Sequence, residues 1–164
     1  MMMQVAKPTE RIELRAGNTI RCLLNILIAS CVCLHCGCLP SPYGPSDADA
    51  PAEFTTTESG LQYRILRKSD KKKPTGTSNV KVNYDGRLAD GTVFDSSYHR
   101  GTPAIFRLNE VIAGWTEGLQ LIGEGGMVQL KVPPELAYGA SGKRPSVPPN
   151  AELTFMVELI RVFD

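Results

Sequence analysis

Between Leu39 and Asp164 the chain has no cysteine. Whatever folds there does so without a disulfide framework, and cysteine content assigns it to no redox compartment. All five cysteines, Cys22, Cys31, Cys33, Cys36 and Cys38, fall in one short N-terminal stretch. Net charge is nearly absent as well. Eighteen Lys and Arg against 17 Asp and Glu leave +1, which is no electrostatic footprint for a nucleic-acid partner. The basic run Lys68, Lys71, Lys72 and Lys73 is broken by Ser69 and Asp70 and ends at Pro74, so it reads as a solvated loop. No apolar run reaches the roughly 20 residues needed to span a bilayer comfortably, and no internal repeat is visible.

What is present divides the chain into 1–38, 39–53 and 54–164. The first piece carries Lys7, Arg11, Arg15 and Arg21 ahead of an apolar run, Leu23 to Leu34. A basic flank followed by such a run is the layout of a secretory signal, and export to the periplasm or cell envelope is the expectation. Within it Ile28-Ala29-Ser30-Cys31 resembles the lipobox of bacterial lipoproteins. That likeness implies acylation of Cys31 and a lipid anchor. Two rival readings stay open: an apolar anchor that is never cleaved, and a metal or redox cluster at Cys31-x-Cys33-x-x-Cys36-x-Cys38 around His35. The cluster reading lacks the βαβ context or second ligand pair such sites use. Pro40 to Glu53, rich in Pro, Ser, Ala and Asp without apolar periodicity, is expected to be a disordered linker.

The third piece reads as short strands around one helix. Leu61–Leu66 is a first strand, and in Val80–Tyr84 the residues Val80, Val82 and Tyr84 share a face. Asp90-Gly91, between the apolar flanks Leu88 and Phe94, predicts a hairpin. Ile105–Leu108, Val128–Val132 and Leu153–Val162 complete the strands. One stretch has a different period: Val111, Trp115, Leu119 and Ile122 recur at steps of four, four and three, on one helix face. Gly114 and Gly118 weaken that helix, so packing must hold it, and Asn109 is its expected cap. Strands around a single helix without βαβ alternation predict an α+β domain with an antiparallel sheet.

The same residues carry a family likeness. Val82-Asn83-Tyr84-Asp85-Gly86, then Asp90-Gly91-Thr92-Val93-Phe94-Asp95-Ser96-Ser97, then Asn109 to Gly118, then Pro134-Glu135-Leu136-Ala137-Tyr138-Gly139, then Val147-Pro148-Pro149-Asn150-Ala151 and Leu153 to Leu159 follow one another. Each resembles a signature of the FKBP-type peptidyl-prolyl cis-trans isomerases, in the family's order. Phe54 to Tyr63 is similar to the lead-in strand of bacterial exported members. The resemblance covers 54–164 and none of the tail. It implies a bent antiparallel sheet wrapped on a short helix, with an apolar pocket between them.

It also implies roles. Tyr84, Phe94, Val111, Ile112, Trp115 and Phe155 would line a proline pocket floored by Trp115. The Ile112 N–H and the Tyr138 hydroxyl would hold substrate carbonyls. Asp95 would sit beside the rotating amide, positioned by Tyr84 and Arg100, with Lys143 and Val147 in a flap above. Two departures are expected to alter specificity: Ala104 where eukaryotic members carry an aromatic wall, which leaves affinity for macrolide inhibitors open, and Lys143 where histidine is common. Taken singly, the same residues read more plainly. Trp115 and Phe155 would be core, Asp95 a turn cap acting with Ser96 and Ser97, and Tyr84 and Tyr138 half-buried structural tyrosines. The partners implied are proline-containing unfolded or folding polypeptides, with no cofactor, no metal and a monomeric state. A proline-recognising chaperone or binding module with incidental catalysis is the competing function.

Overall fold

The computed structural model describes residues 42–163. The N-terminal expectations, export and Cys31 among them, fall outside these residues. Among the described residues no helix is long and apolar enough to cross a membrane.

Among the described residues seven strands form one antiparallel sheet: β1 (Thr55–Thr56), β2 (Gln62–Arg67), β3 (Asn79–Leu88), β4 (Val93–Ser96), β5 (Ala104–Arg107), β6 (Met127–Val132) and β7 (Leu153–Phe163). Their order is β1-β2-β6-β7-β3-β4, with β5 also paired to β3. β7 runs along one side of β3, while β5 and β4 share the other side, β5 against Asn79–Val82 and β4 against Asp85–Arg87. Alternation places Val80, Val82 and Tyr84 of β3 and Leu153, Phe155, Val157 and Leu159 of β7 on the buried face. In β7 that alternation steps from Leu159 to Val162, because a bulge opposite Lys81 and Val82 leaves Ile160 exposed. The β3–β4 turn is the one expected: Gly91, at φ 87°, donates its N–H to the Leu88 carbonyl, and Asp90 Oδ1 accepts from the Thr92 N–H at 2.8 Å.

The helix differs in length from its sequence signature. A short helical turn, α1 (Ser97–Arg100), precedes it in the chain and has no counterpart in the sequence pattern. Ser96 caps that turn by accepting from the His99 N–H, and Gly101 closes it at φ 71°. The main helix, α2, covers only Ala113–Leu119, so Val111 precedes it and Ile122 follows it. Asn109 does not cap it. It lies in a 3-10 turn, Leu108–Glu110, and the cap position of the helix is Ile112, which makes no side-chain cap bond. Thr116 Oγ1 instead donates to the Leu108 carbonyl and ties that turn to the helix. Packing supplies the rest, with Trp115, Leu119 and Ile122 all buried, each worth roughly 1.5–3 kcal/mol when removed from water.

Part of the expected linker is docked on the domain. The compact unit begins at Pro42. Tyr43 Oη donates to Asp85 Oδ2 at 2.7 Å, Gly44 N to Glu158 Oε1 at 3.2 Å, and Arg67 Nη1 to the Pro45 carbonyl at 3.0 Å. Asp47 joins the end of β2 through its own N–H and through its carboxylate on the Lys68 N–H. Gly44 lies so close that a Cβ there would come within 2.5 Å of Glu158 Oε1. Polar contacts distant in sequence hold this strap, so apolar periodicity is blind to it.

Glu158 is the centre of the docking, accepting from Tyr98 Oη, Arg67 Nη2 and the Gly44 N–H. Burial alone would push its carboxyl up, but the bonds from Tyr98 and Arg67 outweigh this and hold it below the usual 4.5. A carboxyl depressed in the folded state contributes stability that is complete above its unfolded value and lost as pH falls through the folded one. Glu158→Gln should therefore cost about 1–3 kcal/mol at neutral pH. Its deficit should shrink between neutral pH and an acidic pH below the usual 4.5, as the folded-state carboxyl takes up its proton. Urea unfolding of both proteins at the two pH values checks this, and an undiminished gap in acid would contradict it.

Candidate active site

Between α2 and the buried face of the sheet lies a cavity of about 600 Å³. Tyr84, Phe94, Asp95, Val111, Ile112, Trp115, Tyr138 and Phe155 border it, and Lys143 stands at its edge. Trp115 is only 4% exposed, packs within the core cluster and also lines the cavity. Three rings stand edge-on to it: Tyr84 at 5.1 Å, Phe155 at 5.3 Å and Phe106 at 5.5 Å between centroids. Phe94 extends the wall from Phe155 at 5.6 Å. Such edge-to-face pairs each add about 0.5–1.5 kcal/mol beyond area burial and hold the walls in place. The indole N–H is buried without a hydrogen-bond partner among the described residues; the surrounding aromatic faces offer only weak compensation.

The backbone makes this arrangement possible at Gly86. That residue pairs with Phe155 across β3 and β7. A Cβ there would lie 2.8 Å from Phe155 Cε1 and 2.9 Å from Phe94 Cζ. Only glycine leaves both phenyl rings their positions.

One wall is polar. Tyr84 Oη donates to Asp95 Oδ2 at 2.7 Å, Arg100 Nη1 pairs with Asp95 Oδ1, and Arg100 Nη2 reaches Tyr84 Oη at 2.8 Å. Both carboxylate oxygens are thus engaged, and the turn-cap reading of Asp95 fails because Ser96 does the capping. Ser97, wholly buried, accepts from the Tyr84 N–H at 2.8 Å and fixes β3 against α1. Burial and the bond to Asp95 push the Tyr84 hydroxyl up to about 12. It stays protonated, and so remains a donor to Asp95, across the ordinary pH range.

Two further donors are open. The Ile112 N–H and the Tyr138 hydroxyl make no hydrogen bond with protein among the described residues, and both residues border the cavity. Arg100 and Val147 do not border it. Arg100 is bonded to Asp95 and Tyr84, which do border it. Val147 is 2% exposed and belongs to the core, where it anchors the 143–147 loop by paired backbone bonds with Lys143. Ala104 also stands back from the cavity, and Phe106, on the same face of β5, provides an aromatic wall. Phe106 belongs to none of the sequence motifs that point to the pocket, although its two-residue spacing from Ala104 is a usable signal.

Comparison with known proteins gives the family and the fold. Residues 70–160 match the family model described as FKBP-type peptidyl-prolyl cis-trans isomerase. A Haemophilus influenzae protein named "Probable FKBP-type peptidyl-prolyl cis-trans isomerase" is 52% identical over 112 residues, covering 67% of this chain and 46% of that protein. The crystal structure of FkpA from Escherichia coli superposes with a TM-score of 0.66 at 47% identity, covering 69% of this chain and 53% of that one. A peptidyl-prolyl cis-trans isomerase from Pseudomonas syringae gives a TM-score of 0.64 at 36% identity, over 70% and 84% of the two chains. The chain spans less than half the length of the Haemophilus influenzae protein.

Proposed function

The chain belongs to the FKBP-type peptidyl-prolyl cis-trans isomerases, and we propose that it accelerates rotation about X-Pro bonds in proline-containing, folding polypeptides. Rotation is slow because it breaks amide conjugation, at a barrier of roughly 18–20 kcal/mol. No bond is made or lost, so catalysis needs only tighter binding of the twisted amide than of the planar one. About 4 kcal/mol of such preference gives roughly a thousandfold acceleration.

The cavity has the parts for this. A planar amide is strongly polar and a twisted one less so, so an apolar, desolvating pocket disfavours the ground state more than the transition state. The prolyl ring would lie on the Trp115 indole between Phe155 and Tyr84. The Ile112 N–H and the Tyr138 hydroxyl would hold the flanking carbonyls and keep the peptide bent, a contribution of orientation. Asp95, with both oxygens occupied, is no proton acceptor in this scheme. It acts as a fixed negative group beside the rotating carbonyl, held in place by Tyr84 and Arg100. Macrolide inhibitors would compete for the same cavity. Export belongs to this reading, supported by the basic-then-apolar N-terminal layout and by bacterial relatives. A lipid on Cys31 rests on the four-residue lipobox likeness.

The observation that carries the proposal is the 600 Å³ cavity floored by a nearly buried indole. A protease-coupled proline-peptide assay on the full chain tests it. Asp95→Asn keeps the side-chain volume and removes the charge, and should lower kcat/KM about tenfold, or about 1.4 kcal/mol. A folded wild-type protein with no rate above buffer would overturn the proposal.

A further inference from the structure

We propose that Lys143 makes the cavity selective for prolines flanked by an acidic residue; this rests on the reading of the cavity as a proline site. Among the described residues bordering the cavity, Lys143 is the only cation. The loop that carries it is a closed one. Lys143 and Val147 exchange backbone hydrogen bonds at 2.9 and 2.8 Å, Ser146 Oγ donates to the Lys143 carbonyl at 3.3 Å, and the buried Val147 hooks the loop into the core. The ammonium is therefore presented from a tethered position, 5.5 Å from the centre of the Tyr138 ring that forms part of the same wall.

Charge balance at the mouth gives this lysine its consequence. Two carboxylates border the cavity, and each has an arginine. Asp95 pairs with Arg100 and also accepts from Tyr84, and Glu110 faces Arg107 at 3.8 Å. Lys143 has no carboxylate partner among the described residues. A bound peptide thus meets one uncompensated positive charge beside its proline. A carboxylate there is attracted, and a lysine or arginine is repelled, so discrimination comes from both signs. The site is open to water, which limits an exposed pair to a factor of roughly two to five.

The test uses the full chain and matched proline peptides that differ only in Glu or Gln, placed immediately before or immediately after the proline. Because Glu and Gln share a shape, the ratio of their kcat/KM values reads charge alone. In the wild type the Glu-to-Gln ratio should be about threefold at one of the two positions at low salt, and should fall toward one at about 1 M salt as screening shortens to a few ångströms. Lys143→Met should bring the ratio to one, and Lys143→Glu should invert it. A ratio of one or below at both positions in the wild type would overturn this inference while leaving isomerisation intact. An unchanged ratio in Lys143→Met would do the same. Absence of turnover with every peptide would overturn the isomerase reading and this inference with it.

Discussion

Phe155→Ala should cost about 3–5 kcal/mol of stability and lower kcat/KM for a proline peptide about fiftyfold, equivalent to the 2–3 kcal/mol of apolar burial that a missing wall forfeits. The two effects share one cause. Phe155 is 4% exposed, packs edge-on to Trp115 and Phe94, and borders the cavity. Its ring is at once the roof of the core over β7 and a side of the pocket. Truncation leaves a void that water reaches from the cavity, and a hydrated wall no longer disfavours the planar amide. Phe155→Leu separates the two. It retains most of the volume and should cost less than about 1.5 kcal/mol, while its lost ring edge still loosens the indole floor. Denaturant midpoints and peptide kinetics on the same samples would measure both. A folded Phe155→Ala protein with kcat/KM within twofold of wild type would mean that the amide rotates elsewhere.

How legible these residues are in the sequence depends on what holds them. Strands packed against a core announce themselves by alternation, and Val80, Val82 and Tyr84 lie on the face that their spacing demands. The helix face is legible too, because Trp115 and Leu119 are both buried on it. Its ends are not, since the step from Val111 to Ile122 continues the period through an entry turn and an exit turn that are not α-helical. Contacts without a period leave no such trace. The strap from Pro42 is fixed by hydrogen bonds to Asp85, Glu158 and Arg67, which lie far along the chain. Phe106 becomes a wall only because β5 pairs with β3 and turns that face toward Trp115. The family likeness puts Val147 in a flap, yet its one apolar side chain in that polar loop is buried and anchors it. The pocket residues are recognisable as a set, through the family's motifs, while each alone favours a duller role.

The two helix glycines give the sharpest contest between local propensity and packing. In an isolated helix, Gly→Ala stabilises by about 0.8–1.0 kcal/mol, so propensity alone expects Gly114→Ala and Gly118→Ala to help. The structure reverses the sign. A Cβ at Gly114 would lie 2.5 Å from Val132 Cγ1, and one at Gly118 would lie 2.7 Å from both Leu130 methyls, well inside the roughly 3.5–4.0 Å of a comfortable carbon contact. Val132 and Leu130 are themselves wholly buried and have nowhere to retreat. Overpacking of this kind costs about 1–3 kcal/mol, which outweighs the propensity gain and leaves each variant destabilised by up to about 2 kcal/mol. The helix would ride up from β6, and Trp115, next to Gly114, would lift with it and tilt the pocket floor, so KM should rise as stability falls. The decisive control is Leu130→Ala in the Gly118→Ala background. Alone, Leu130→Ala should cost about 2–5 kcal/mol. Beside Gly118→Ala it should cost less, because the new methyl occupies part of the vacated space, giving a favourable coupling of about 1 kcal/mol in a double-mutant cycle. If Gly118→Ala instead raised the denaturation midpoint, the close approach of helix and sheet would not be what positions the indole, and the floor of the site would need another explanation.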